Sequence, residues 1–240
     1  MNPNHSSSES PHHIARYEFA QKYTEGNVVL DVACGDGYGS SILAKNAARV
    51  FGADNDEKLL RLANKLSPHD KMEFHLCDAR SLPFPDNYFD VAVSMETIEH
   101  FTEQEKFLGE LKRVVKRGGV IMISTPDHDT NEKMGVYHNR NREGHGHPGE
   151  MTFAQFFYLM NRHLVNIEFY GQLFLTQEPT LRHRIINLVK KIDILKLRRL
   201  FAKDMRDKYN LSAKLISEEC QVKKLDRQSA DILAVGRNEK

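Results

Sequence analysis

The chain has 240 residues, 40% apolar and 28% charged, with a net charge of +1. That balance argues against general disorder and wholesale polyanion binding, and it allows one domain with its own core. Cys34, Cys77 and Cys220 form no CxxC pair and leave an odd count, which argues against a disulfide framework or a zinc knuckle and fits a reducing cytoplasm.

Residues 1–11, MNPNHSSSESP, are polar, lack an apolar signal core and predict a disordered tail. From His12, the spacing of Ile14, Tyr17, Ala20 and Tyr23 predicts an N-terminal helix. Apolar runs then alternate with amphipathic segments. The predicted strands are VVLDVA (28–33), RVFGAD (49–54), MEFHLCD (72–78), FDVAVSM (89–95), GGVIMIST (118–125), VNIEFYG (165–171) and ADILAVG (230–236). Ser40–Ala47, Asp56–Leu66, Glu103–Val115 and Thr152–Arg162 read as the helices between them. The alternation predicts an α/β fold, a doubly wound seven-stranded mainly parallel sheet of Rossmann-like type.

Residues 12–172 and 230–240 form the predicted core, and residues 173–229 are a helical insertion before the last strand. Charge separates the two. Residues 1–180 hold 18 Lys and Arg against 25 Asp and Glu, whereas residues 181–227 hold 14 against 6. Within the insertion, residues 181–201 carry Leu181, Ile185, Leu188, Ile192 and Leu195 on one stripe among Lys and Arg, a basic amphipathic helix. No apolar run approaches the roughly 20 residues that cross a bilayer, so membrane contact is expected only at a surface.

The first strand feeds LDVACGDGYGS, a glycine-rich turn leading into a helix, which brings backbone N–H groups up to a ligand. A dinucleotide fingerprint would place its third glycine three residues after the second, where Ser40 stands. The spacing Gly35-x-Gly37-x-Gly39 after Asp31 instead resembles the first motif of class I S-adenosylmethionine-dependent methyltransferases. LPFPDNYFDVAVSMETIEHF and LKRVVKRGGVIMISTP are similar to the same family, and the similarity runs from His13 to Gly236. It implies S-adenosylmethionine as cofactor, the glycines admitting its methionine end and ribose edge. Asp54, 19 residues past Gly35, would take the ribose hydroxyls, and Asp78 the adenine amino group beside the Ala79 backbone. Ala33, Asn55 and Met95 complete the implied lining. Each acid also has a plain structural alternative as a turn or helix cap.

Methyl transfer from a sulfonium is an in-line displacement, and a hydroxyl acceptor must also lose its proton. Glu96-x-x-Glu99-His100 resembles the metal-binding stretch of the ubiquinone-pathway O-methyltransferases and the small-RNA 2′-O-methyltransferases. That implies Mg2+ on Glu96, Glu99 and His100, with His147 of GHGHPGEMT as the further ligand and His145 as the spare on the acceptor side. Alternatively, His100 acts with Glu99 as a metal-free base, or both are a polar start to the next helix. The resemblance also packs the N-terminal helix over the cofactor opening, placing His13, Arg16 and Tyr17 at the acceptor. These three are otherwise ordinary helix-surface residues.

The order ARYEFA, STP and HP…F…L…FYGQ resembles the type 11 and type 23-like bacterial enzymes associated with surface polysaccharide and glycolipid synthesis. A sugar hydroxyl on a glycan, nucleotide sugar or glycolipid is therefore the implied acceptor. Lys190, Lys191, Arg198 and Arg199 would suit its phosphates, an anionic membrane at the inner face, or merely solvent. Nucleic acid is disfavoured, since only Phe201 and Tyr209 in residues 181–227 offer rings for stacking. Mg2+-assisted O-methylation of a quinol or small phenol or of an RNA 2′-hydroxyl, and a protein that binds the cofactor without transferring methyl, are the alternatives.

Overall fold

The computed structural model describes residues 11–66, 70–129, 147–172, 223–224 and 231–239. Helix α1 (Pro11–Ala20) begins on a proline, whose fixed φ and missing N–H suit a first helical position, so the helix starts one residue before the expected His12. There follow β1 (Val28–Val32), α2 (Tyr38–Ala44), β2 (Arg49–Asp54), α3 (Glu57–Leu66), β3 (Met72–Leu76), β4 (Phe89–Met95) and α4 (Gln104–Val114). The remainder is β5 (Val115–Pro126), α5 (Phe153–His163), β6 (Val165–Gln172), β7 (Lys223–Lys224) and β8 (Asp231–Arg237). A 3-10 turn, Ile98–His100, separates β4 from α4.

All the strands join one sheet in the order β3-β2-β1-β4-β5-β8-β6-β7. Strands β1 to β5 pair in parallel, and β8 runs antiparallel between β5 and β6. Seven of these strands lie where the apolar runs predicted them. The eighth, Lys223–Lys224, belongs to the insertion and adds a two-residue edge to β6 opposite Tyr170 and Gly171. The rest of the insertion, including the predicted basic helix, lies outside the described residues, as do residues 1–10 and His145. No described helix is long and apolar enough to cross a membrane.

The strands are apolar because both sheet faces are covered. Leu30, Val32, Ala92, Ile121 and Ile123 pack with Phe107, Leu111 and Phe156 on one face. Val29, Val91, Val93 and Met122 pack with Tyr17, Leu43 and Ala44 on the other. Strand β5 begins at Val115 rather than at Gly118 as expected, because α4 runs directly into it. Phe89 pairs with Val115 and Val91 with Val120, a register shift that absorbs the intervening residues. Asn238 fastens this junction, its Nδ2 donating to the carbonyls of Val115 at 2.7 Å and Lys112 at 2.9 Å.

The chain order reverses between β1 and β4, so the crevice outside their carboxyl ends is where an open α/β sheet receives a ligand.

Candidate functional site

The turn after β1 is built on left-handed backbone. Ala33, Gly35 and Gly37 have φ of 60°, 57° and 78°. The N–H groups of Ala33 and Cys34 both donate to the Ala53 carbonyl, and the Gly35 N–H donates to Asp54 Oδ2 at 2.8 Å. Asp54 Oδ1 accepts the Asp56 N–H at 2.8 Å, so this carboxylate fixes the turn from the end of β2 and keeps lone pairs for a ligand.

The three motif glycines serve different ends. A Cβ on Gly37 would lie 2.7 Å from the Phe74 ring, and one on Gly39 would lie 2.2 Å from the Tyr17 ring. Protein packing by itself therefore requires glycine at these two positions. Only Gly35 of the three would meet nothing within 4 Å. It faces the open side of the turn.

Asp31 likewise supports the site from beneath. Fully buried, it accepts from Tyr17 Oη at 3.1 Å and Ser40 Oγ at 2.6 Å, tying α1 and α2 to β1. Burial pushes its carboxyl up to about 7, against the pull of those two hydroxyls. Asn55 is exposed beside Asp54, and Ala79 is half-buried. Asp78 is exposed but engaged: Arg80 donates to it from Nη2 at 2.7 Å, from Nε at 3.0 Å and from its backbone N–H at 2.8 Å. Those bonds hold the Asp78 carboxyl down at about 2, so an adenine amino group would share it with Arg80. Burial raises the Cys34 and Cys77 thiols, Cys77 to about 11, which leaves neither a thiolate nucleophile.

At the end of β4, Met95 is buried and Glu96 takes a left-handed φ of 54°. That turn aims Glu96 at Ser124, whose Oγ donates to Oε1 at 2.8 Å, and at Arg16 Nη2, 3.8 Å away. Glu99, His100 and His147 come together instead, each offering a ligand atom within 4.8 Å of the others. The His100 and His147 rings meet edge to face at 4.7 Å. Backbone brings the two segments together: the Gly149 N–H donates to the Glu99 carbonyl at 2.8 Å, and Gln104 Nε2 to the Gly149 carbonyl at 2.6 Å.

Glu99 is buried, with Thr125 Oγ1 3.5 Å from its Oε2, and burial followed by the Glu96 charge raises its carboxyl well above the usual range. A bound cation would reverse that shift. Among the described residues, the cluster offers one carboxylate and two imidazoles, with Glu96 turned away. Such donors suit imidazole-preferring divalent cations, whereas Mg2+ favours oxygen and bound water. The donor set thus does not fit the magnesium implied by the sequence resemblance.

The three α1 residues assigned to the acceptor divide. Tyr17 and Arg16 are buried beneath the opening, Arg16 bonded to Gln172 and Asp231. His13 is partly buried, and burial followed by the Arg16 charge lowers its imidazole to about 4, so it is neutral at pH 7. Sequence reasoning missed Ser124, Gln172 and Asp231. Ser124 lies two residues inside the end of β5, Gln172 ends β6 and Asp231 begins β8, positions where a polar residue ordinarily signals only a turn.

Residues 30–123 match a family model described as a methyltransferase domain. Over 118 residues the chain is 35% identical to the "Probable S-adenosylmethionine-dependent methyltransferase/" of Mycolicibacterium smegmatis, covering 49% of this chain and 45% of that one. It is 38% identical over 103 residues to a ubiquinone/menaquinone biosynthesis C-methyltransferase of Cupriavidus taiwanensis, covering 41% and 42%. The chain thus spans under half the length of these curated relatives. Among solved structures, a SAM-dependent methyltransferase of Thermotoga maritima superposes with a TM-score of 0.64 at 15% identity, over 95% of this chain and 92% of that one, a likeness of fold.

Proposed function

We infer that this chain, with a methyltransferase domain at residues 30–123, transfers a methyl group from S-adenosylmethionine to an acceptor hydroxyl. The observation that carries the reading is the turn at Gly35, open on its outer side and held by Asp54 at the reversal of the sheet. Asp54 there accepts the ribose hydroxyls, and Asp78 with Ala79 borders the adenine.

On the acceptor side, Glu99, His100 and His147 support a group that must be deprotonated before it attacks. His100, exposed and held by His147, receives the hydroxyl proton. Glu99 lies within reach of both rings and holds the cluster in place. The acceptor oxygen then forms its bond to the methyl carbon as the carbon–sulfur bond breaks, the electron pair stays on sulfur, and adenosylhomocysteine leaves. A sugar hydroxyl on a glycan, nucleotide sugar or glycolipid is the acceptor we favour, supported by the sequence resemblance around ARYEFA and by the basic span 181–227.

The identity to a quinone-pathway C-methyltransferase favours a second reading, a hydroquinone methylated on ring carbon. Here too the phenol must lose its proton, and the same three side chains would serve.

Adenosylhomocysteine release by the purified protein, on nucleotide-sugar, glycolipid and quinol fractions with and without chelator, separates these readings. Turnover confined to the glycan fractions supports sugar O-methylation. Turnover on quinol alone overturns it. Loss of rate with chelator, restored by Zn2+ or Mn2+ rather than Mg2+, would assign Glu99, His100 and His147 to a metal.

A further inference from the structure

Arg16 lies on the inner face of α1 and is 1% exposed, yet it reaches three separate pieces of chain. Nη1 donates to Asp231 Oδ2 at 2.7 Å, at the start of β8, and to Gln172 Oε1 at 2.9 Å, at the end of β6. Nη2 lies 3.8 Å from Glu96 Oε1, just past β4. Gln172 completes the tie, its Nε2 donating to the His12 carbonyl at 3.2 Å. An apolar side chain would hold α1 to the sheet without the desolvation cost of a buried cation. What the guanidinium adds is direction, because its planar fork meets several acceptors at fixed angles.

The next residue turns toward the cradle. Tyr17 donates to Asp31, and its ring occupies the space over Gly39. Consecutive residues of one helix thus register it against two distant parts of the sheet. Strand β8 stands three places from β1 in the sheet order, about 14 Å at the usual strand spacing.

We propose that Arg16 is a positioning residue that couples the cofactor cradle, through α1, to the acceptor-side ends of β4, β6 and β8. The coupling rests on the reading of the cradle as an S-adenosylmethionine site. Arg16 bonds to the strand ends and not to the Gly35 turn, and the coupling is reciprocal: occupancy of the cradle steadies the strand ends, and steady strand ends favour occupancy.

Hydrogen–deuterium exchange on the full chain, with and without adenosylhomocysteine, tests this in the parent and in Arg16→Lys, which keeps the charge but not the fork. In the parent, the ligand slows exchange at residues 28–56, at α1 and also at residues 165–172 and 231–237. In Arg16→Lys it binds about tenfold more weakly, a typical size for coupling between sites. It still protects residues 28–56 and no longer protects 231–237. Persistence of protection at 231–237 in Arg16→Lys overturns the proposal, as does its absence in a parent that binds the ligand. Uniformly faster exchange across β1 to β5 in ligand-free Arg16→Lys would mark a merely structural prop and also overturn it. A parent that fails to bind adenosylhomocysteine defeats the cofactor reading instead. Arg16 is then judged without ligand, by whether Arg16→Lys loosens α1 and the ends of β6 and β8 together while sparing β2 and β3.

Discussion

Asp54 carries two tasks, and substitutions separate them. It holds the Gly35 and Asp56 N–H groups and offers its remaining lone pairs to the ribose. Losing a charged hydrogen-bond acceptor costs about 2 kcal/mol, so Asp54→Ala should weaken adenosylhomocysteine binding by roughly thirtyfold in calorimetry. Undiminished affinity would remove the cradle from cofactor binding. Gly39→Ala drives a methyl into the Tyr17 ring, an overpacking of about 1–3 kcal/mol that urea denaturation would read as a lower midpoint. Asp31 sets a pH dependence. Its folded carboxyl, at about 7, holds a proton more tightly than an unfolded one, so its stabilising contribution is full below the ordinary carboxylate range and is lost as pH rises through 7. Asp31→Asn should therefore lose less stability than the parent between pH 6 and 8, measured by denaturation at each pH. The sequence displayed Asp31 and the three glycines openly. It did not display which of them the protein's own packing requires, because Phe74 and Tyr17, which require Gly37 and Gly39, lie far from them along the chain.

Elements were legible where one physical cause dominated. The strands showed as continuous apolar runs because each is covered on both faces, and β2 and β4 fall at the predicted residues. The early start of β5 was hidden. Lys116 and Arg117 fell between the predicted helix and the predicted strand, and only the pairing of Val115 with Phe89 and the ties from Asn238 carry the strand back to them. Helix α5 opens with a capping box, in which Thr152 accepts from the Gln155 N–H and Gln155 answers to the Thr152 N–H. Thr152→Ala should cost about 1 kcal/mol in denaturant titration. Because the cap lies away from the cradle, adenosylhomocysteine affinity should not change. A parallel fall in affinity would mean that α5 braces the cofactor turn.

For the molecule as a whole, the alternation of strand and helix was enough to predict a doubly wound sheet. It could not place β8, since chain order does not state spatial order, and nothing in ADILAVG says that it runs antiparallel between two earlier strands. The polar network at Glu96, Gln172 and Asp231 was hidden for the same reason: its members are adjacent only once β8 is inserted. A chain ending at Gln172 lacks the strand that joins β5 to β6. It should be digested by protease at concentrations that spare the full chain, whereas equal resistance would show that β1 to β6 close without β8.

That insertion imposes a schedule on the ribosome. Strands β1 to β5 emerge in an order that lets each dock beside one already made, but β6 emerges with no place in the sheet until β8 follows it. Until then the nascent chain holds two unpaired backbone edges, on β5 and β6, the kind of surface that recruits wrong partners. Closure of the sheet therefore waits until Arg237 has been translated. The Arg16 contacts wait with it, so α1, made before every described strand, is among the last elements to reach its final seat.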